Sequence, residues 1–134
     1  MSRCVIISAC PVSASLASAL RPGDTIIACD AGYRNCGPLH CRPDIIVGDF
    51  DTAPCPAQEG DDTIILPHVK DDTDTEYAAK LASEKGFDEA LLLGALGGRR
   101  LEHTLANLCT GLGLEQRGVR ATLLDERSRI TFVM

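Results

Sequence analysis

The chain has 134 residues, 45% hydrophobic and 24% charged, with 13 basic against 19 acidic side chains and a formal net charge of −6. This length suits one domain, residues 1–134, with a core of its own, and the balance of apolar and charged residues excludes a disordered chain. The acid excess excludes a general nucleic-acid binder, which needs a basic surface to neutralise phosphates.

Arg3–Ala9 reads as a buried strand, a short apolar run rich in branched residues. Pro11–Leu20 reads as a short helix, with proline near its start and Leu16 and Leu20 spaced by four. Arg21-Pro22-Gly23-Asp24 is a turn. Thr25–Cys29 is a second strand ending at Asp30-Ala31-Gly32, and Ile45–Val47 is a third ending at Gly48-Asp49. Residues 52–62, with Pro54, Pro56 and Gly60, read as a loop, and Thr63–Leu66 as a fourth strand. A helix opens at Asp72–Glu76 and runs to about Glu84. Thr73 and Glu76 give it a capping-box pattern, and Gly86 stops it. Ala90–Leu93 is a fifth strand followed by a glycine-rich turn. Leu101–Gln116 is a helix with Leu101, Leu105, Leu108 and Leu112 on one stripe, the face expected to meet the core. Ala121–Leu124 and Ile130–Val133 are the sixth and seventh strands.

Strands alternate with helices, and several strands are apolar on both faces. That pattern predicts an α/β fold, a Rossmann-like three-layer sandwich around a mostly parallel sheet. In such sheets ligands bind outside the carboxyl ends of the strands. No apolar run approaches the ~20 residues that span a bilayer, and the N-terminus lacks a signal-like apolar region, so no membrane partner is expected. The seven cysteines are odd in number, and reduced thiols in the cytoplasm are the expected state. Cys4, Cys29 and Cys109 read as small core hydrophobes. Cys36, His40, Cys41 and Cys55 lack the paired spacing of a zinc site.

Twelve of the 19 acids are aspartates, and nine of these lie between Asp30 and Asp74. Asp49 and Asp51, one residue apart after a strand, suit a hard cation such as Mg²⁺. Asp30, at the end of a neighbouring strand, adds a third carboxylate. A turn or cap role for Asp51 is the simpler alternative. In Lys70-Asp71-Asp72-Thr73-Asp74, the helix dipole accounts for one acid. The cluster reads equally as a cation site or as a solvated face. The turn Gly94–Gly98 followed by Arg99 and Arg100 offers backbone N–H groups and charge to a phosphate, though without P-loop spacing. Glu102 and His103 sit beside it as either site or surface residues.

The order and wording of these segments resemble thiamine pyrophosphokinase. The matching elements are Asp30-Ala31-Gly32, the run Pro43–Thr52, Asp71–Asp74, and Gly94 through Asn107. They are ordered across roughly residues 26 to 125. The resemblance implies transfer of pyrophosphate from ATP to the hydroxyethyl group of thiamine, releasing AMP. It implies that Asp30, Asp49, Asp51 and Asp74 hold Mg²⁺ and the ATP phosphates, with Asp49, Asp51 and Asp74 at the catalytic centre. It places Gly97, Gly98, Arg100, Glu102, His103 and Asn107 around the nucleotide and thiamine, and implies a homodimer. The sequence departs from the pattern at Ala31, where glycine is usual, and at Thr52, which replaces serine. An extra residue falls in Arg99-Arg100-Leu101, and Glu102 stands for aspartate. The family carries a C-terminal β-domain that helps bind thiamine, and these 134 residues end where it would begin. The resemblance therefore covers the catalytic domain with the β-domain absent.

Two other readings compete. One is a nucleotide-binding or assembly module without turnover, lacking the thiamine-binding domain. The other is a phosphatase with Asp49 as covalent nucleophile, disfavoured because Ala53 occupies the position where that motif needs threonine or valine.

Overall fold

A computed structural model describes residues 2–48, 64–66, 74–97 and 101–133, with residues 30, 31, 64–66 and 74 described by their backbone alone. The predicted residues 52–62 loop and the Thr73 half of the capping box lie outside these residues. Among the described residues seven strands form one sheet: β1 (Arg3–Ile7), β2 (Thr25–Cys29), β3 (Ile45–Val47), β4 (Ile64–Leu66), β5 (Glu89–Leu93), β6 (Arg120–Leu124) and β7 (Arg129–Thr131). Their order is β4-β3-β2-β1-β5-β6-β7. The first six run parallel, and β7 pairs antiparallel with β6. The expected strands are all present, with ends shifted by one or two residues.

The alternation of a strand's side chains sorts the core into two clusters. Cys4 and Ile6 of β1, Ile27 and Cys29 of β2, and Ala90 and Leu92 of β5 face one side. There they meet Ala78, Ala79 and Ala82 of helix α1 (Asp74–Glu84) and Leu114 of helix α2 (Leu101–Gln116). Val5, Ile7, Ile26, Ala28, Leu91 and Leu93 face the other side and meet Leu16, Cys36 and Leu39. The three layers are thus helices, sheet, and a layer of short 3₁₀ turns. Buried on both faces, β1, β2 and β5 need the unbroken apolar sequence that identified them.

Two helical expectations change. Pro11–Leu20 contains only a 3₁₀ helix, Ala14–Ala19. The segment is too short to sustain an α-helix by itself, and its serines bond locally: Ser13 Oγ with Ser15 Oγ, and Ser18 Oγ to the Ser15 carbonyl. A second 3₁₀ helix, Asp30–Cys36, follows β2 directly and was not foreseen. Helix α2 has the predicted bounds but not the predicted face. Of the predicted stripe Leu108 packs against the core, but Leu101 is 70% exposed, Leu105 52% and Leu112 40%, whereas Asn107, Gly111 and Leu114 are buried. A Cβ on Gly111 would sit 2.7 Å from the Phe132 ring, so the helix lies too close there for a larger residue. Cys109, on the same helix, is exposed rather than core.

Candidate active site

The sheet order fixes where a site can form. From β1 the chain proceeds through β2, β3 and β4 to one side, and then β5 returns to pair with β1 on the other. The carboxyl ends of β1 and β5 are therefore the topological switch point, where connections leave in opposite directions and open a crevice. A cavity of about 200 Å³ lies there, lined by Ser8, Cys10, Thr75, Gly94, His103 and Asn107 among others.

Its floor is backbone held tightly. Ser8 N–H donates to the Leu93 carbonyl (2.8 Å) and Cys10 N–H to the Gly94 carbonyl (2.9 Å), carrying the β1–β5 pairing past the strand ends. Gly94 has φ +68, and a Cβ there would overlap the Ser8 carbonyl, so only glycine fits this turn. Gly32 makes the matching approach from the 3₁₀ helix after β2, where a Cβ would overlap the Ile7 carbonyl. In the Asp30-Ala31-Gly32 element, the glycine that the packing requires is Gly32. Asn35, buried on the same helix, donates from Nδ2 to the Ser8 carbonyl (2.8 Å) and the Cys10 carbonyl (2.9 Å), and accepts from Val12 N–H (3.3 Å). One side chain thus fixes the segment Ser8–Val12 that forms one wall.

Two helix N-termini meet this wall. Thr75, in the first turn of α1, shares a 2.5 Å hydrogen bond with the Ser8 hydroxyl. His103, in the first turn of α2, and Asn107, one turn later, line the other side. Asn107 Nδ2 donates to the Ala95 carbonyl (2.9 Å) and ties α2 to the turn after β5. The Gly97 carbonyl accepts from Thr104 Oγ1 (3.1 Å) and from Cys10 Sγ (3.4 Å). Burial pushes the Cys10 thiol pKa up, so this sulfur stays a neutral donor. Helix N-termini present unpaired N–H groups and positive dipole ends, and two of them at one cavity suit an anion.

Asp30 is the first residue after β2, and Asp74 is the first residue of α1. Their backbones therefore stand at the same sheet edge as the cavity. Gly97, at φ +81, is in the turn that bounds it, with Glu102, His103 and Asn107 on α2. Glu102 and His103 are exposed and Asn107 is buried. Asp49, Asp51, Gly98 and Arg100 lie outside the described residues. Among the described residues no group of three or more His, Cys, Asp or Glu is placed to hold a metal, and this includes Cys36, His40 and Cys41. Ser8, Cys10, Asn35 and Thr75 were not anticipated. The only signal in the sequence for Ser8 was its place at the carboxyl end of a buried strand.

Residues 16–123 match the family described as thiamin pyrophosphokinase, catalytic domain. The chain belongs to this family. Solved thiamin pyrophosphokinases share its fold. The one from Geobacillus thermodenitrificans is 27% identical with a TM-score of 0.76, over 92% of this chain and 59% of that one. The Bacillus subtilis enzyme is 22% identical with a TM-score of 0.81, over 97% of this chain and 63% of that one. The Candida albicans enzyme is 16% identical with a TM-score of 0.76, over 97% and 60%. The chain thus spans about three fifths of the length of these thiamin pyrophosphokinases. No curated protein matches it. Among the described residues no helix is long and apolar enough to cross a membrane.

Proposed function

We propose that the chain is the part of a thiamine pyrophosphokinase that binds ATP and transfers its pyrophosphoryl group to the thiamine hydroxyl, leaving AMP. The observation that carries this reading is the convergence of two helix N-termini and a glycine turn on one cavity at the switch point of the sheet. Such an arrangement provides fixed N–H donors for phosphate oxygens without using up basic side chains. Phosphoryl-type transfer needs little more from a protein than positioning and charge neutralisation.

In this reading Asp30, Asp49, Asp51 and Asp74 hold Mg²⁺, with Asp49, Asp51 and Asp74 nearest the reacting phosphates. The donor set is chemically apt, since Mg²⁺ takes carboxylates together with substrate phosphates. Asp30 directly follows β2 and Asp74 opens α1, positions compatible with that role. The ion would supply neutralisation of the charge that builds on the phosphate oxygens. The protein groups do the rest. Thr75 and Ser8 present hydroxyls at the cavity wall. Asn107 holds the turn after β5 in register with α2. Gly97, Gly98 and Arg100 surround the nucleotide, and Glu102 and His103 reach it from the exposed face of the first turn. The same reading makes the protein a cytoplasmic homodimer.

Calorimetric titration with a non-hydrolysable ATP analogue and Mg²⁺ tests the binding half. A binding heat is expected, and none would sink the reading. Chromatographic detection of AMP and thiamine diphosphate tests turnover. A second reading rests on the length comparison. It is a nucleotide-binding or assembly module without turnover, for a chain that spans about three fifths of its solved relatives' length. Binding without turnover selects this module, and turnover by the 134 residues eliminates it.

A further inference from the structure

The 3₁₀ helix after β2 ends in a turn that has no part in the cavity. His40 N–H donates to the Gly37 carbonyl (3.0 Å), and Cys41 N–H reaches back to the Cys36 carbonyl (3.1 Å). His40 lies in the left-handed region at φ 53. These two bonds around one left-handed residue are a Schellman motif. In that motif the side chain just beyond the left-handed position folds against the one five residues earlier, a contact that is usually apolar. Here the two positions are Cys41 and Cys36. With a 3.1 Å N···O bond between them, standard backbone dimensions hold their Cα atoms within roughly 7 Å, the reach of a disulfide. Each thiol is the main influence on the other's titration. Both border the same surface depression, together with Arg34 and Arg42.

We propose that Cys36 and Cys41 are a thiol–disulfide exchange site that is closed by small glutathione-type disulfides and reopened by thiols. The two cysteines divide the work by exposure. Cys36 is 6% exposed, packed among Val5, Ile7, Ile26 and Leu39. Cys41 is only partly buried and is the sulfur a small molecule meets first. The neighbouring Cys36 thiol lowers the Cys41 pKa, and Cys41 together with burial raises that of Cys36. Cys41 is therefore the attacking thiolate and Cys36 the resolving thiol. Cys41 Sγ loses its proton to solvent and attacks one sulfur of the small disulfide. Its S–S bond breaks, one thiolate leaves, and a mixed disulfide forms on Cys41. Cys36 Sγ then loses its proton and attacks Cys41 Sγ, forming the internal S–S bond and expelling the second thiolate. The protein gives up two protons and two electrons, and the small disulfide takes up both electrons as two thiolates. Asn35, next to Cys36, bonds the Ser8 and Cys10 carbonyls, so the crosslink forms one residue from the clamp on the cavity wall.

The site does not depend on the proposed transfer reaction. It is tested by incubating the reduced full chain with oxidised glutathione, blocking free thiols with N-ethylmaleimide under denaturing conditions, and mapping the fragments by mass spectrometry. Cys36 and Cys41 are expected to be unlabelled and joined, lighter by two hydrogens, and to recover both labels after dithiothreitol. In Cys36→Ser, Cys41 is expected to stop as the glutathione adduct. In Cys41→Ser, Cys36 is expected to carry maleimide alone. The proposal is overturned if wild-type Cys36 and Cys41 both carry maleimide while exposed Cys109 carries glutathione. It is also overturned if wild-type Cys41 ends as the glutathione adduct with Cys36 free. The wild-type result stands whether or not either variant folds.

Discussion

Asn107 carries an amide into a buried position, which is stable only because Nδ2 donates to the Ala95 carbonyl. Asn107→Ala leaves that carbonyl without its partner. It is expected to cost about 1–2 kcal/mol in urea unfolding and to weaken binding of the ATP analogue, since the Ala95 turn borders the cavity. Asp24 makes a different case. Its carboxylate grips the Arg3 guanidinium through two bonds, 3.0 and 2.6 Å, with side chains 6% and 11% exposed. Burial would push the Asp24 carboxyl up. The bond from Arg3, the bond from the Arg21 backbone and the charges of both arginines outweigh it and hold the pKa below its ordinary value. The folded value is depressed, so this contribution is complete above the unfolded pKa of about 4. It is lost as pH falls through the folded value. Asp24→Asn is expected to lower stability at pH 7 by about 2 kcal/mol, between exposed and buried pairs. It is also expected to flatten the acid limb of a stability–pH curve measured by urea titration.

At the scale of elements, α2 shows what the sequence made legible and what it hid. Its bounds followed from periodicity, because a 16-residue run with leucine every third or fourth position has few other solutions. Its buried face did not follow. Hydrophobicity pointed to Leu101, Leu105, Leu108 and Leu112, of which only Leu108 packs against the core, while the helix turns its Asn107–Gly111–Leu114 stripe inward. The close approach at Gly111 against Phe132 and Leu123 makes that stripe the better fit, and glycine contributes almost nothing to a hydrophobic pattern. Leu105→Gln is accordingly expected to change stability by less than about 0.5 kcal/mol. Leu114→Ala, at a fully buried position, is expected to cost about 2–5 kcal/mol. Urea midpoints of the two variants separate these faces. The same limit applies at the cavity. Aspartates and a glycine turn stand out in a sequence, whereas Ser8, Asn35 and Thr75 are ordinary residues until the sheet order brings them to one edge.

For the whole molecule, a ligand that binds only the folded chain raises its stability by mass action, about 2.7 kcal/mol at a hundredfold excess over Kd. With the ATP analogue and Mg²⁺ together, Tm is expected to rise, and a chelator is expected to cancel most of the rise. A shift indifferent to the chelator would remove Mg²⁺ from the proposed site. The strand sequences announced a parallel sheet, but not its order, since nearly all are apolar runs that pair equally well with one another. That order has a consequence in time. β1 is the centre of the sheet, and one of its edges pairs with β5, where Arg3 meets Glu89. Synthesis therefore delivers β1 first and its second partner only after more than half the chain. Until then the central strand of the sheet has an open edge, a long-range closure of the kind that slows folding and invites association between chains. Chaperone demand is thus expected to concentrate before β5 emerges, and pulse-labelled hydrogen exchange should find the amides of β1 protected late.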